Sequence, residues 1–243
     1  MKIIIIIPSR LASTRLPNKP LAIINHKTMI QRVFEQAKKT NITDIIIATD
    51  SELIANEISK FGGKYIMTDS TLPSGTDRIY SAFKKLNKDF DIIVNLQGDL
   101  PNIDPSVINS CIELAKNSDC DIATVASIIK DKSEIINPNV VKIAIAQNQQ
   151  ALYFSRSAIP YSKNFDQIYY HHIGIYAFKK SAIEKFVKLS PSPLEKQESL
   201  EQLRALENNM KIFVKIVDAH PLSVDTLEDL TNITRIISQH ENH

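Results

Sequence analysis

An α/β domain built on a mainly parallel sheet is what the sequence predicts, on three observations. Short β-branched, apolar runs alternate with helix-length amphipathic segments over the first half of the chain. The runs are continuously apolar rather than alternating, as in strands covered on both faces. Residues that bear chemistry fall just after the runs, where open α/β sheets bind their ligands.

The elements follow in order. "KIIIIIP" predicts a strand over 2–8, and further strands fall at 44–49, 64–67, 91–96 and 121–128. Helices are expected between them at 28–40, 51–61, 76–87 and 105–117. Asp50 and Ser51 suit an N-cap with Glu52 in the first turn, and Pro105 suits a first helical position. After about residue 139 the pattern tightens. Strands are expected at 140–146, 150–155 and 172–178, helices at 180–187 and 193–208, a strand at 212–217 and a last helix at 226–239. Without a Pro/Gly/Ser-rich linker, one continuous domain over 1–243 is expected. Residues 1–138 are read as mainly parallel, and residues 139–243 as adding antiparallel structure for a lid or dimer surface.

Composition narrows the function. Apolar residues make up 43% of the chain, enough for a sizeable core, and the net charge is only +2. That balance argues against nucleic acid or an anionic membrane as partner. The five-residue run Ile3–Ile7 is shorter than a secretory h-region, and no apolar stretch approaches the roughly 18 residues that span a bilayer. Cys111 and Cys120 show no metal-binding spacing, so a reduced, cytoplasmic protein is expected. With five glycines the chain has neither GxGxxG nor GxxxxGK[ST], which excludes the dinucleotide fingerprint and the Walker loop.

The loops after the strands carry the chemistry. "SRLASTRLPNKP" follows the first strand, with Arg10, Arg15 and Lys19 to neutralise an anion. Small residues such as Ser9, Ala12, Ser13 and Thr14 let backbone N–H groups approach it, and Pro17 and Pro20 stiffen the loop. A solvated basic loop is the ordinary alternative. Ser74-Gly75-Thr76 opens a helix that can hold a base or phosphate, though most such stretches are caps. Asp99 follows Gly98 after a buried strand, where a carboxylate can hold magnesium; alone it reads as a turn. Asp225 in "HPLSVDTLEDL" reads alone as an N-cap. Two strand-end carboxylates with a basic loop suggest metal-assisted work on a nucleoside triphosphate.

The ordered series "IPSRLASTRLPNKPL", "IIIATD", "SGTDR", "VNLQGD", "NPNVVKI", "ALYFSRSAIP", "HHIGIYAF", "PSPLEKQESLEQLR" and "VDTLEDL" resembles the sugar-acid cytidylyltransferases from Ile3 to Leu230. The resemblance implies a Rossmann-like mixed sheet of the nucleotide-diphospho-sugar transferase type. It also implies transfer of CMP from CTP to 3-deoxy-D-manno-octulosonate (Kdo) with release of pyrophosphate, serving lipopolysaccharide assembly. A cytoplasmic, Mg2+-dependent homodimer goes with it. By similarity Arg10, Arg15 and Lys19 hold the triphosphate, with Ser13, Ser74, Gly75 and Arg78 on the nucleotide. Asp99 and Asp225 ligate magnesium. Gln97, Arg156, His172, Tyr176, Glu198 and Gln202 are the sugar candidates. Two departures stand out: Asn18 where relatives commonly have glycine, and Leu100 where they commonly have an acid. Asn tolerates left-handed geometry, so the loop is expected to keep its shape. Another sugar acid, of sialic or amino-Kdo type, or a silent nucleotide-binding protein are the alternative readings.

Overall fold

The computed structural model describes residues 1–12, 15–164 and 166–241. In chain order its elements are β1 (Ile3–Ser9), β2 (Ile23–Ile24), β3 (Lys27–Thr28), α1 (Met29–Lys38), β4 (Ile45–Thr49), α2 (Glu52–Lys60), β5 (Tyr65–Met67), α3 (Gly75–Lys85), β6 (Ile92–Leu96) and α4 (Pro105–Asn117). Then come β7 (Ile122–Ile128), α5 (Lys132–Ile136), β8 (Lys142–Ile145), β9 (Ala151–Ser155), β10 (Tyr170–Lys179), α6 (Lys180–Phe186), α7 (Pro193–Glu198), α8 (Gln202–Glu207), β11 (Ile212–Ile216) and α9 (Leu227–Glu241). The fold is mixed α/β, with a mostly parallel sheet, flanking helices and the small antiparallel hairpin β2–β3.

The chain divides into two compact units. One comprises Lys2–Phe90, Val94–Ile108 and Pro221–His243; the other comprises Asp91–Ile93 and Asn109–His220, with Met1. The segment 109–138, read from the sequence with the parallel half, thus belongs to the second unit.

In the first unit β6, β1, β4 and β5 lie side by side, with β1–β4 and β4–β5 parallel. All seven residues of β1 are buried, as its unbroken isoleucines require of an interior strand. α1 turns its apolar face inward through Met29, Ile30, Val33 and Ala37, and Thr28 caps it by accepting from the N–H of Gln31. A cluster of Leu16, Ile24, Met29, Val224, Ile233 and Ile237 ties the basic loop to the C-terminal segment and α9. Burying side chains of this size stabilises by about 1.5–3 kcal/mol each.

In the second unit β11 runs parallel to β7, and β10 runs antiparallel to β7. β8 pairs with β10 and β9. The β10–β7 register shifts between Ile173 and Tyr176, so that Gly174 and Ile175 are extra residues.

The structure departs from the sequence reading at four places. The expected helix 193–208 is broken in two, because Ser199 adopts left-handed geometry (φ 52°, ψ 49°) and ends α7. The hairpin β2–β3 and the five-residue α5 are too short to leave a periodic signal. Asp50 does not cap α2: Ser51 holds the cap position, and the Asp50 carboxylate accepts from Arg78 at 2.8 Å.

Candidate functional site

Beyond the carboxyl end of β1, the first unit holds a cavity of about 500 Å³. Pro8, Ser9, Arg10, Arg15 and Lys19 line it from the end of β1 and the first loop, Leu72, Ser74, Gly75 and Arg78 from the entry and start of α3, and Gln97, Gly98, Asp99 and Asp225 complete it. Ser13 lies outside the described residues.

Lys19 organises one side of this cavity. Its Nζ donates to Asp99 Oδ2 at 2.8 Å and to Asp225 Oδ1 at 3.0 Å. Arg15 approaches the other oxygen of Asp225 at 3.1 Å. Burial works against the Lys19 charge, but Asp99 and then Asp225 outweigh it and hold the pKa above the ordinary lysine value. Unit charges about 4 Å apart interact by about 4 kcal/mol at an effective dielectric of roughly 20. Two carboxylates that both contact one ammonium are therefore stabilised by the cation between them.

Residues 126 positions apart meet because their backbones are pinned together. Val224 N–H donates to the Asp99 carbonyl at 3.0 Å, and Val224 itself is buried. Thr226 and Asp229 form a reciprocal cap: Asp229 N–H donates to Thr226 Oγ1, and Thr226 N–H donates to Asp229 Oδ2. The N-cap reading of Asp225 therefore belongs to its neighbour, and the Asp225 carboxylate is left to Lys19 and Arg15. On the other side, Gly98 packs so closely that a Cβ would meet the Pro8 carbonyl at 2.9 Å.

The loop itself is held by Asn18, which sits in left-handed geometry at φ 55°, ψ 30°. This is the conformation expected of a residue replacing glycine. It feeds the 3-10 turn Lys19–Leu21, where Leu21 N–H donates to the Asn18 carbonyl. Leu100 is buried, so the side chain after Asp99 packs in the core and bears no charge.

The remaining first-unit candidates are partly committed elsewhere. Ser74 caps α3, accepting from Asp77 N–H at 3.1 Å and donating to Asp77 Oδ2 at 2.8 Å. Arg78 lines the wall, yet its guanidinium donates to Asp50 and to Thr68 Oγ1. Its charge is already matched, which makes it a brace for α3 more than a free cation. Among the described residues Arg10 has no ion-pair partner. Gln97 Nε2 donates to Asn95 Oδ1 at 3.2 Å, and Asn95 in turn reaches Thr76. Sequence reasoning assigned no role to the Ser9 side chain, whose buried Oγ has no hydrogen-bond partner among the described residues. Its place as the last residue of β1 was the available signal.

The other sugar candidates lie in the second unit. Arg156 Nε donates to the Glu198 carbonyl at 2.8 Å, and its other nitrogens reach the Pro138 and Ser199 carbonyls. The Glu198 carboxylate accepts from Arg156 N–H and Ser155 Oγ. Beside them Lys142, missed in the sequence, is fully buried and donates to the carbonyls of Asn137, Val140 and Arg156. Burial, with Arg156 adding to it, brings the Lys142 ammonium down to about 8.

The extra residues in β10 bring His172 and Tyr176 together, their rings 5.4 Å apart, and Phe154 meets the imidazole edge-on. The Thr124 hydroxyl donates to the Ile175 carbonyl at 2.7 Å and so accepts from His172 Nε2 at 3.0 Å. Burial drives the His172 pKa down to about 3, and raises the Tyr176 phenol well above its ordinary value. His172 is thus a neutral, hydrogen-bonded ring. Gln202, at the start of α8, is buried as well.

Comparison with known proteins shows the family. The family model for cytidylyltransferases matches residues 4–212. A 3-deoxy-manno-octulosonate cytidylyltransferase of Bartonella bacilliformis is 47% identical over 98% of this chain and 99% of its own. The Rickettsia felis protein of the same name is 51% identical over 93% of this chain and 91% of its own. A solved CMP:2-keto-3-deoxy-manno-octonic acid synthetase complexed with CTP superposes with a TM-score of 0.93 at 37% identity, over 99% of this chain and all of that one. The chain therefore belongs to the cytidylyltransferase family, among the 3-deoxy-manno-octulosonate cytidylyltransferases.

Proposed function

We propose that the protein transfers CMP from CTP to Kdo, giving CMP-Kdo and pyrophosphate and so activating the sugar for lipopolysaccharide assembly. The observation that carries this reading is the cavity after β1, where Arg10, Arg15 and Lys19 converge with Asp99 and Asp225. The sugar's anomeric hydroxyl attacks the α-phosphate of CTP, and pyrophosphate leaves in line. Such a reaction needs positioning and charge neutralisation more than a protein nucleophile. The three cations neutralise the triphosphate, with the start of α3 against the nucleoside and Gln97 on the sugar. Arg156, Glu198, His172, Tyr176 and Gln202 serve the acidic sugar.

Asp99 and Asp225 suit Mg2+: both are hard oxygen donors within reach of one nitrogen, and magnesium takes few protein ligands when phosphates supply the rest. When bound, the ion supplies Lewis-acid stabilisation of charge on the phosphates. A cytoplasmic homodimer belongs to the proposal. Both cysteines are free and buried, as a reducing compartment favours. Among the described residues no helix is long and apolar enough to cross a membrane. Light scattering on the purified chain tests the dimer.

Pyrophosphate release across a matrix of nucleotides and sugar acids tests the reaction. Release is expected only with CTP, Kdo and Mg2+ together, and faster turnover of N-acetylneuraminate than of Kdo would overturn the sugar assignment. Asp99→Asn should reduce kcat by about a hundredfold or more with an unchanged melting temperature. Full activity in that variant removes the metal assignment.

A further inference from the structure

Resting on the reading that Asp99 and Asp225 hold the metal, we propose that Lys19 is a resident counter-cation. It holds the two carboxylates together in the metal-free protein and yields them when nucleotide phosphate arrives to take its ammonium.

Three observations carry this. The Lys19 ammonium sits on both carboxylates at once, at 2.8 and 3.0 Å, and its side chain is only 18% exposed. It thus occupies the oxygens that a divalent ion needs. Arg15 cannot take over, because it touches Asp225 alone and is 55% exposed, which leaves its contact screened by water. The Lys19 backbone is fixed by left-handed Asn18, by the 3-10 turn and by Pro20. Release therefore means swinging the flexible four-carbon stem while the loop stays in place.

The consequence is thermodynamic. A divalent ion arriving alone must displace an ammonium held by two carboxylates, with no anion at hand to receive it. With a triphosphate in the same cavity, the ammonium moves to phosphate oxygens and the carboxylates are freed in the same event. Metal and nucleotide then bind cooperatively, and Lys19 carries a share of the coupling.

Mn2+ binding, followed by the electron paramagnetic resonance of the free ion without nucleotide, tests this independently of turnover. Lys19→Gln is expected to bind Mn2+ at least about tenfold more tightly than wild type, and Lys19→Arg to stay near wild type. Lys19→Met, of similar reach and no charge, serves if Lys19→Gln does not fold. The double variant Lys19→Gln/Asp99→Asn should lose the gain. Equal or weaker binding by Lys19→Gln, with Asp99→Asn still inactive, overturns the counter-cation role and leaves the metal reading standing. A gain that persists in the double variant places the ion elsewhere and overturns both.

Discussion

Arg156 and Glu198 are joined by exchange rather than by a salt bridge. The Glu198 carboxylate accepts the Arg156 backbone N–H at 2.9 Å, while Arg156 Nε returns to the Glu198 carbonyl at 2.8 Å. The guanidinium fork is thereby aimed by backbone groups, and the carboxylate also holds Ser155. Glu198→Ala removes both acceptor oxygens. It is expected to lower stability by about 2–3 kcal/mol and to raise KM for Kdo several-fold more than KM for CTP. Steady-state kinetics with each substrate varied in turn checks this, and an equal rise in both would refute a sugar-side role.

Gly98 and Gly75 both border the cavity but have different room. A Cβ at Gly98 meets a backbone carbonyl at 2.9 Å, whereas one at Gly75 meets Pro8 Cγ at an ordinary 3.5 Å. Gly98→Ala must shift β1 or the turn bearing Asp99, so it should cost about 1–3 kcal/mol and lower kcat. Gly75→Ala should fold with stability within about 1 kcal/mol of wild type. Thermal melts of the two variants side by side decide the matter. A Gly98→Ala protein as stable as Gly75→Ala would contradict the packing.

At Asn18 the backbone demands positive φ. Asn18→Gly should melt within a few degrees of wild type. Asn18→Val should lose about 1–2 kcal/mol and bind CTP more weakly, since the adjoining residue is Lys19. Calorimetric titration with CTP provides the check; unimpaired binding by the valine variant would show that the loop tolerates another shape.

Acid should weaken the second unit. Burial holds His172 down at about 3; burial, then His220 and Lys142, hold His171 at about 4. An unfolded histidine titrates near 6.5. Below that value the unfolded chain takes protons that the folded one refuses, so stability present above pH 6.5 is lost as pH falls toward 4. For His172 the loss by pH 5 is about 2 kcal/mol. Urea unfolding at pH 7.5 and pH 5 should show a smaller drop for His172→Gln than for wild type. Identical drops would mean that the ring is protonated in the fold.

Much of the cavity lining was legible in the sequence because strand-end position is itself a chemical signal. β1 announced its burial through five isoleucines, and the loop after it gathered charge where open sheets bind anions. Asp225 was harder, since a carboxylate before a helix reads as a cap; only the Thr226–Asp229 pair shows that the cap is taken. Arg78 was legible as a residue of the wall but not in its partner, because Asp50 lies 28 positions away. The second unit gave weaker signals. The Ser199 break, the extra residues in β10 and buried Lys142 lie within quoted motifs, but their geometry depends on contacts between distant segments and leaves no period.

Lys142 has one further consequence. Its hydrogen bonds go to backbone carbonyls, as do those of the neighbouring Arg156 guanidinium. Carbonyl dipoles solvate a cation without cancelling it. Two positive charges thus have their hydrogen bonds met by neutral oxygens, with the Glu198 carboxylate offsetting part of the field. A neutral polyol gains nothing from such a field, while a carboxylated sugar is drawn toward it before any contact forms. On the proposed reading, preference for acids over neutral sugars would rest in part on how these two cations are solvated, apart from which side chains the sugar touches.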